Sequence, residues 1–379
     1  MGINNSNIAR RPGRASEKFL GVKNPFYKKG SCRRRPKKTL LIGCGKAGAL
    51  HELDPKRGKP ASLIGGLLRF PGFYELTGAC DLKEERLEKV AAMVPGAALF
   101  TDYKKALREL SPQVVVIAAW TNVHKEMFLE CLKHGVEGII LEKPVARTLS
   151  EARVMERAWK KNPVPVVVNH ERRWVGKYRL VKEIIENREL GPVRAVYGKV
   201  LLGSVPEEWE EEIFELEGGG TLLHDGTHLL DILIFLFKEL EIQKVLVRKG
   251  KLLDKSTHAL LLADGSIPVY IEVGGERSYF EFGISVECQR GTVRVGNGFA
   301  EWWEVGESRL YSGYNDLVEK DFPSDRLKAF EGCLGFAGPF WELKEAFINT
   351  ERCSLSGLRD GIRAMELIFG MLKKAKEIG

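Results

Sequence analysis

The chain has 379 residues, room for two domains with cores of their own, and its 44% hydrophobic and 29% charged residues match a globular protein in water. No apolar run reaches the ~20 residues of a membrane-spanning helix. The net charge of +8 is an end effect: residues 1–38 hold twelve Lys/Arg against Glu17, and the rest carries 47 basic against 50 acidic residues. So near-neutral a body gives no reason to expect nucleic-acid or membrane binding.

Seven cysteines form no CxxC pair, and their number is odd. This predicts reduced thiols and a cytoplasmic setting. Residues 1–36 lack hydrophobic periodicity and read as a basic, disordered extension. Met1 to Ser6 fits a short myristoylation pattern, and the Arg-rich start resembles an organellar transit peptide. A plain solvated extension is the preferred reading of both.

From Thr39 strands and helices alternate. Thr39–Ile42 reads as a buried strand running into Gly43-Cys44-Gly45-Lys46-Ala47-Gly48, a G-x-G-x-x-G in the context that gives it meaning. Its glycines permit a tight turn, close approach of a pyrophosphate, and tight helix packing. The strand Glu75–Cys80 ends in Asp81, an acid suited to the hydroxyls of an adenosine ribose, which favours NAD over NADP. Asp81 lies 33 residues beyond Gly48, more than the usual ~20. The excess reads as a polar insertion over His51–Pro60, whose Lys56 and Arg57 are within reach of a phosphate.

Further strands are predicted over Ala97–Phe100, Gln113–Ala118, Gly138–Leu141 and Val164–Val168, with helices between them. Six strands with crossover helices and a phosphate loop after the first predict an α/β Rossmann fold, a doubly wound parallel sheet over 37–170. Trp120, Thr121, Asn122 and His124 follow the fourth strand, at the nicotinamide end of a dinucleotide. Glu142-Lys143-Pro144 closes the fifth, where an open sheet binds its ligands.

Residues 171–379 predict an α+β domain with a large, mostly antiparallel open sheet, one face covered by helices and the other by another subunit. A homodimer or homotetramer through that sheet is expected. Near its start lies Gly218-Gly219-Gly220-Thr221-Leu222-Leu223-His224-Asp225-Gly226-Thr227-His228. On one helix His224 and His228 share a face, while Asp225 points about 100° away. Proton transfer by a histidine is preferred; no third ligand is placed for zinc, so no metal is expected. Arg172 and Arg173 suit an acidic substrate group or a structural ion pair. Trp209, in an acidic loop over Pro206–Glu215, suits stacking on a sugar ring; Tyr178 and Asn169 are weaker candidates.

The glycine loop, the Leu141-Glu142-Lys143-Pro144 strand end and the glycine–histidine cluster, in this order, resemble the glucose–fructose oxidoreductase, inositol dehydrogenase and MocA family over about residues 38–379. The resemblance implies a dehydrogenase that uses NAD (NADP less favoured) on a polyhydroxylated small molecule, a sugar, cyclitol or derivative. It implies that Lys143 polarises the reacting oxygen and His228 acts as acid/base. The chain departs from the family at His224, which stands where many members have an aspartate, at Trp120-Thr121 in place of Pro-Asn, and at the insertion. A non-enzymatic dinucleotide-binding regulator and an NAD-retaining glycosidase or epimerase remain as alternatives.

Overall fold

The computed structural model describes residues 35–203, 205–327, 335–349 and 355–378. The expectations for the basic extension, and Cys32, Cys333 and Cys353, lie outside the described residues.

The first sheet is built from β1 (Lys37–Ile42), β2 (Tyr74–Cys80), β3 (Ala98–Phe100), β4 (Val114–Ile117), β5 (Gly138–Leu141) and β6 (Val166–Val168), with α1 (Leu63–Leu67), α2 (Glu84–Met93), α3 (Tyr103–Leu110), α4 (Thr121–Lys133) and α5 (Leu149–Lys161) between them. All its pairings are parallel and the strand order is β3-β2-β1-β4-β5-β6. Chain direction across the sheet reverses between β1 and β4, the crevice where such sheets bind nucleotides. Every residue of β4 and β5 is buried, because helices cover both faces. Local signals set the helix starts. The Asp102 carboxylate accepts from Lys104 and Lys105 N–H at α3, and Thr148 Oγ1 accepts from Glu151 N–H at α5. The Glu151 carboxylate reaches the N–H of Arg147 instead of closing a capping box on Thr148.

The second domain contains α6 (Gly176–Glu186), β7 (Val193–Leu201), α7 (Glu210–Glu217), α8 (Thr221–His224), α9 (Gly226–Leu236), β8 (Leu240–Lys249), β9 (Asp254–Ala263), β10 (Ile267–Gly274), β11 (Glu281–Cys288), β12 (Gly291–Gly296), β13 (Phe299–Glu307) and β14 (Asn315–Lys320). The remaining elements are α10 (Ser324–Leu327), α11 (Gly338–Ile348), α12 (Leu358–Lys374) and β15 (Lys376–Glu377). Its nine-stranded sheet runs β14-β13-β12-β11-β7-β10-β9-β8-β15, antiparallel except where β10 meets β7 and β15 meets β8. The apolar helix α9 covers one face, with Leu229 over Gly198: a Cβ on Gly198 would come within 2.8 Å of it. On the other face Tyr197 and Tyr270 stack with ring centroids 5.1 Å apart, and both stay exposed.

Three features differ from the sequence reading. Residues 210–217 form a helix and not a loop, and β14, with only Leu317 and Val318 to mark it, escapes any apolar pattern. More consequentially, the chain returns to its first half. Phe340 and Leu343 of α11, and Leu358, Ile362 and Met365 of α12, sit in the cores around the parallel sheet. Ser356 is buried there, its main-chain oxygen accepting from Val168 N–H and its hydroxyl donating to Val168 O.

Candidate active site

At the end of β1 the chain turns through Gly43 (φ 92°), where a side chain would strike the Ala118 and Ala119 main chain at 2.4–2.5 Å. Gly48 is needed for closeness: a Cβ there would lie 2.0 Å from Gly43 O. A Cβ on Gly45 would meet nothing among the described residues nearer than Arg86 Nη1, 3.7 Å away, so one side of the loop stands open. The N–H groups of Lys46 and Ala47 find no partner among the described residues. An open glycine cradle with free donors fits the pyrophosphate of a dinucleotide.

The helix expected after this loop is interrupted in its first turn. The chain makes a 3-10 turn over Leu50–Leu53, leaves, and returns at Leu63. Leu63 and Ile64 then donate to Ala47 O and Gly48 O at 2.9 Å. That is sixteen residues back, where an unbroken helix reaches back four, so twelve residues are spliced in. Subtracting twelve from the 33 residues between Gly48 and Asp81 leaves 21, the ordinary spacing. The splice is tied down by Glu52, which accepts from Ala61 N–H (2.9 Å) and Ser62 Oγ (3.0 Å), and by Lys59, which donates to His51 O and Asp54 O.

Asp81 is buried at the end of β2. One carboxylate oxygen accepts from Cys44 N–H (2.8 Å) and the other from Lys83 N–H (2.9 Å), with Arg86 Nη1 at 3.4 Å. At the other end of the crevice Trp120 is half exposed beside Thr121, whose hydroxyl donates to Glu217 Oε2 at 2.5 Å. His124 is a correction to the expected cofactor contacts. Wholly buried, it has each ring nitrogen 3.0 Å from a main-chain oxygen, of Pro144 and of Ala119, and supports the two loops from beneath. Asn122 lies in the first turn of α4.

The peptide bond between Lys143 and Pro144 is cis. Glu142 is buried behind it, accepting from Asn169 Nδ2 (2.6 Å) and from Lys143 N–H, and burial pushes its carboxyl up to about 7. Lys143 Nζ crosses to the second domain and donates to His224 O at 2.9 Å.

The glycine–histidine segment is not one helix: α8 ends at His224, and α9 begins at Gly226. Three glycines precede it, Gly218 with φ 78° capping α7 and Gly220 pressed against Asp254, whose carboxylate takes Leu222 N–H and the Thr221 hydroxyl. His224 is partly exposed, its Nδ1 3.1 Å from Asp225 Oδ2. Burial would raise the Asp225 carboxyl, but the His224 hydrogen bond and the charges of His224, Lys143 and His228 hold it down at about 2. Asp225 therefore shares a field with Lys143 and His228.

His228 is pushed down to about 4 by burial, against the opposing charge of Glu171. Its Nδ1 lies 3.3 Å from Glu171 Oε2, off the line of a good hydrogen bond. Glu171 Oε1 accepts from Arg172 Nη1 at 2.5 Å, and the charges of His228, Arg172 and Lys143 overcome its burial and hold it well below the usual carboxylate range. Glu171 is hard to single out in the sequence, set between a histidine and two arginines, although it lies in the turn after a parallel strand.

Both arginine expectations change. Arg173 is structural: buried, it makes a two-pronged pair with Asp231 (2.7 and 2.8 Å) and also donates to Leu355 O. Asp231 also meets His170 Nδ1 at 3.1 Å. Arg172 belongs to the cluster but is engaged, paired to Glu171 and stacked 3.9 Å over the Phe282 ring. Tyr178 is buried edge-on to Phe282. Trp209 stands exposed on the turn before α7. Asn169 Oδ1 and Thr227 Oγ1 are buried without protein partners among the described residues, polar atoms left for a ligand or water to satisfy. A groove of about 890 Å³ lined by Lys38, Leu68, Glu75, Pro95 and Glu109 lies at the amino-terminal ends of β1 and β2. Open parallel sheets bind ligands at the carboxyl ends, so the cleft around Lys143 is the candidate site.

Comparison with known proteins agrees with this fold. Residues 37–170 match the family model for oxidoreductases with an NAD-binding Rossmann fold, and residues 178–294 match the GFO/IDH/MocA C-terminal domain model. An uncharacterised oxidoreductase of Schizosaccharomyces pombe is 27% identical over 152 residues, and the alignment spans only 40% of that relative's length. Scyllo-inositol 2-dehydrogenase (NADP(+)) of Bacillus subtilis is 24% identical over 311 residues, covering 77% of this chain and 85% of that protein. The WlbA dehydrogenase of Bordetella pertussis, solved with NADH and UDP-GlcNAcA, superposes with a TM-score of 0.69 at 20% identity, covering 90% of this chain and 96% of that one. Among the described residues no helix is long and apolar enough to cross a membrane. With both of its domains matched, this chain belongs to the GFO/IDH/MocA oxidoreductase family.

Proposed function

We propose that the protein oxidises a secondary hydroxyl, or reduces the matching carbonyl, of a sugar, cyclitol or related polyhydroxylated molecule. The observation that supports this most is the reach of Lys143 across the domains, its Nζ 2.9 Å from the main-chain oxygen of His224 in the segment that carries His228. A nicotinamide dinucleotide, when bound, exchanges the hydride. Gly43, Gly45, Lys46, Ala47 and Gly48 would hold its pyrophosphate and Asp81 its adenosine ribose, with Trp120 and Thr121 toward its nicotinamide. The Asp81 carboxylate repels a 2′-phosphate, which favours NAD; Arg86 at 3.4 Å partly offsets that charge.

In the oxidation direction His228 takes the hydroxyl proton through its cleft-facing nitrogen. Burial keeps the ring neutral near pH 7, the form a base requires. Lys143 has one N–H on His224 O and two left to stabilise the oxygen as negative charge develops on it. His224 and Asp225 lie beside Lys143 and are assigned to the substrate hydroxyls, and exposed Trp209 is assigned to stack on a sugar ring. The exposed stacked pair Tyr197 and Tyr270 supports self-association through the open sheet face, which sedimentation of Tyr270→Arg against the parent chain tests.

Absorbance at the NADH band with cyclitols, hexoses and uronates tests the activity. A substrate-dependent change supports it. Tight dinucleotide binding with no change for any of them sinks it and leaves a dinucleotide-binding regulator.

A further inference from the structure

The geometry points to Glu171 as the positioning residue of the site, the group that fixes which nitrogen of His228 carries a proton and which faces the substrate. The inference rests on the oxidoreductase reading above and adds a residue to it. An acid/base histidine needs a partner on its far nitrogen to hold ring and tautomer. Where many members of the family carry an aspartate, one helical turn before the histidine, this chain has His224, its ring turned to Asp225.

The carboxylate nearest His228 comes instead from the turn after β6. Glu171 Oε2 is 3.3 Å from His228 Nδ1, and both side chains are largely shielded from solvent. A carboxylate only accepts, so closing this 3.3 Å contact into a hydrogen bond places the hydrogen on Nδ1 and leaves Nε2 with its lone pair for the substrate proton. Such bonds are often long without substrate and tighten when it binds. The second oxygen of Glu171 is held by Arg172, itself fixed over Phe282, so the carboxylate cannot swing away.

Other charged groups around the pair are Arg172, with Lys177 of α6 beside it, Lys143 and Glu142 at the end of β5, and Asp225 between α8 and α9. Lys143 and Arg172 oppose a proton on His228, and Glu171 favours it. Removing the Glu171 charge therefore lowers the proton affinity of His228.

Long-range ¹H–¹⁵N NMR of the full chain, with His228 assigned through His228→Asn, reads the tautomer without substrate or dinucleotide. The parent chain is expected to show a protonated Nδ1 and a bare Nε2. In Glu171→Gln the His228 midpoint falls by about one pH unit or more. In Arg172→Met, which keeps the carboxylate, it rises. With any substrate that turns over, Glu171→Gln loses about 100-fold in kcat with dinucleotide affinity unchanged, and the acid limb of its kcat/KM profile moves to lower pH. Glu171→Asp restores most of the rate. A bare Nδ1 in the parent chain, or a midpoint unmoved in both variants, overturns the assignment. Absence of turnover with every substrate bears on the oxidoreductase reading alone, because the NMR result needs none.

Discussion

Lys143, at the end of a strand in the nucleotide-binding sheet, gives one N–H to the main-chain oxygen of His224, 2.9 Å away in the second domain. The bond aims the ammonium and joins the two halves of the cleft. Lys143→Met removes the donor and the charge while keeping the stem. We expect kcat to fall about 100-fold or more, with dinucleotide affinity nearly unchanged. Isothermal titration with NADH and steady-state turnover separate the two effects; weakened binding at an intact kcat would refute the role.

Arg173 gives the opposite pattern. Arg173→Met strands the Asp231 carboxylate in the interior with, among the described residues, only His170 paired to it. Losing one partner of a buried pair costs about 3–5 kcal/mol. Urea unfolding measures it, and a cost below about 1 kcal/mol would show that the pair is not the anchor. Arg173→Met/Asp231→Leu, with no orphaned charge, is expected to recover much of the loss.

Cofactor choice is expected to turn on Asp81. Asp81→Asn removes the repulsion of a 2′-phosphate and frees Arg86 to face it. The preference for NADP over NAD in kcat/KM should rise about 10-fold, equivalent to about 1.4 kcal/mol. An unchanged ratio would mean that Asp81 serves only the glycine loop through Cys44 N–H.

The splice in the first turn predicts a clean excision. Deleting His51–Ser62 joins Leu50 to Leu63, whose bond to Ala47 O then becomes an ordinary helical one. The shortened chain is expected to fold and to bind dinucleotide, with a melting temperature within several degrees of the parent. Failure to bind NADH in a folded variant would show that the insertion belongs to the nucleotide site.

Acid should destabilise the protein earlier than a surface titration would. Burial lowers the proton affinity of His228, to about 4, and of His124 and His170. Each takes up a proton more readily when unfolded, so their contribution is complete above about pH 6.5 and is lost as pH falls toward the folded values. Glu142, raised to about 7, acts with the opposite sign, adding stability as pH drops from 7. Three histidines outweigh one carboxyl, so the melting temperature at pH 5 should lie below that at pH 7.5. In Glu142→Gln the drop should be steeper; a shallower one would mean that Glu142 is ionised in the folded state.

The sequence by itself determined the parallel sheet, the phosphate loop and the lysine at a strand end. Those rest on local rules: continuous apolar strands, glycines where a side chain would collide with Ala118 or Gly43, and acids at strand or helix ends. It also contained the splice, as a spacing too long by about twelve residues. Only the tertiary structure decided which charges meet. Arg172 and Arg173 are neighbours with the same chemistry, yet one is held in the cleft by Glu171 and the other is buried on Asp231, 58 residues along the chain. His224 and His228 fit one helix face by spacing, and a break at Asp225 separated them. Electrostatic roles depend on distances between residues far apart in sequence, and periodicity within a segment does not encode them.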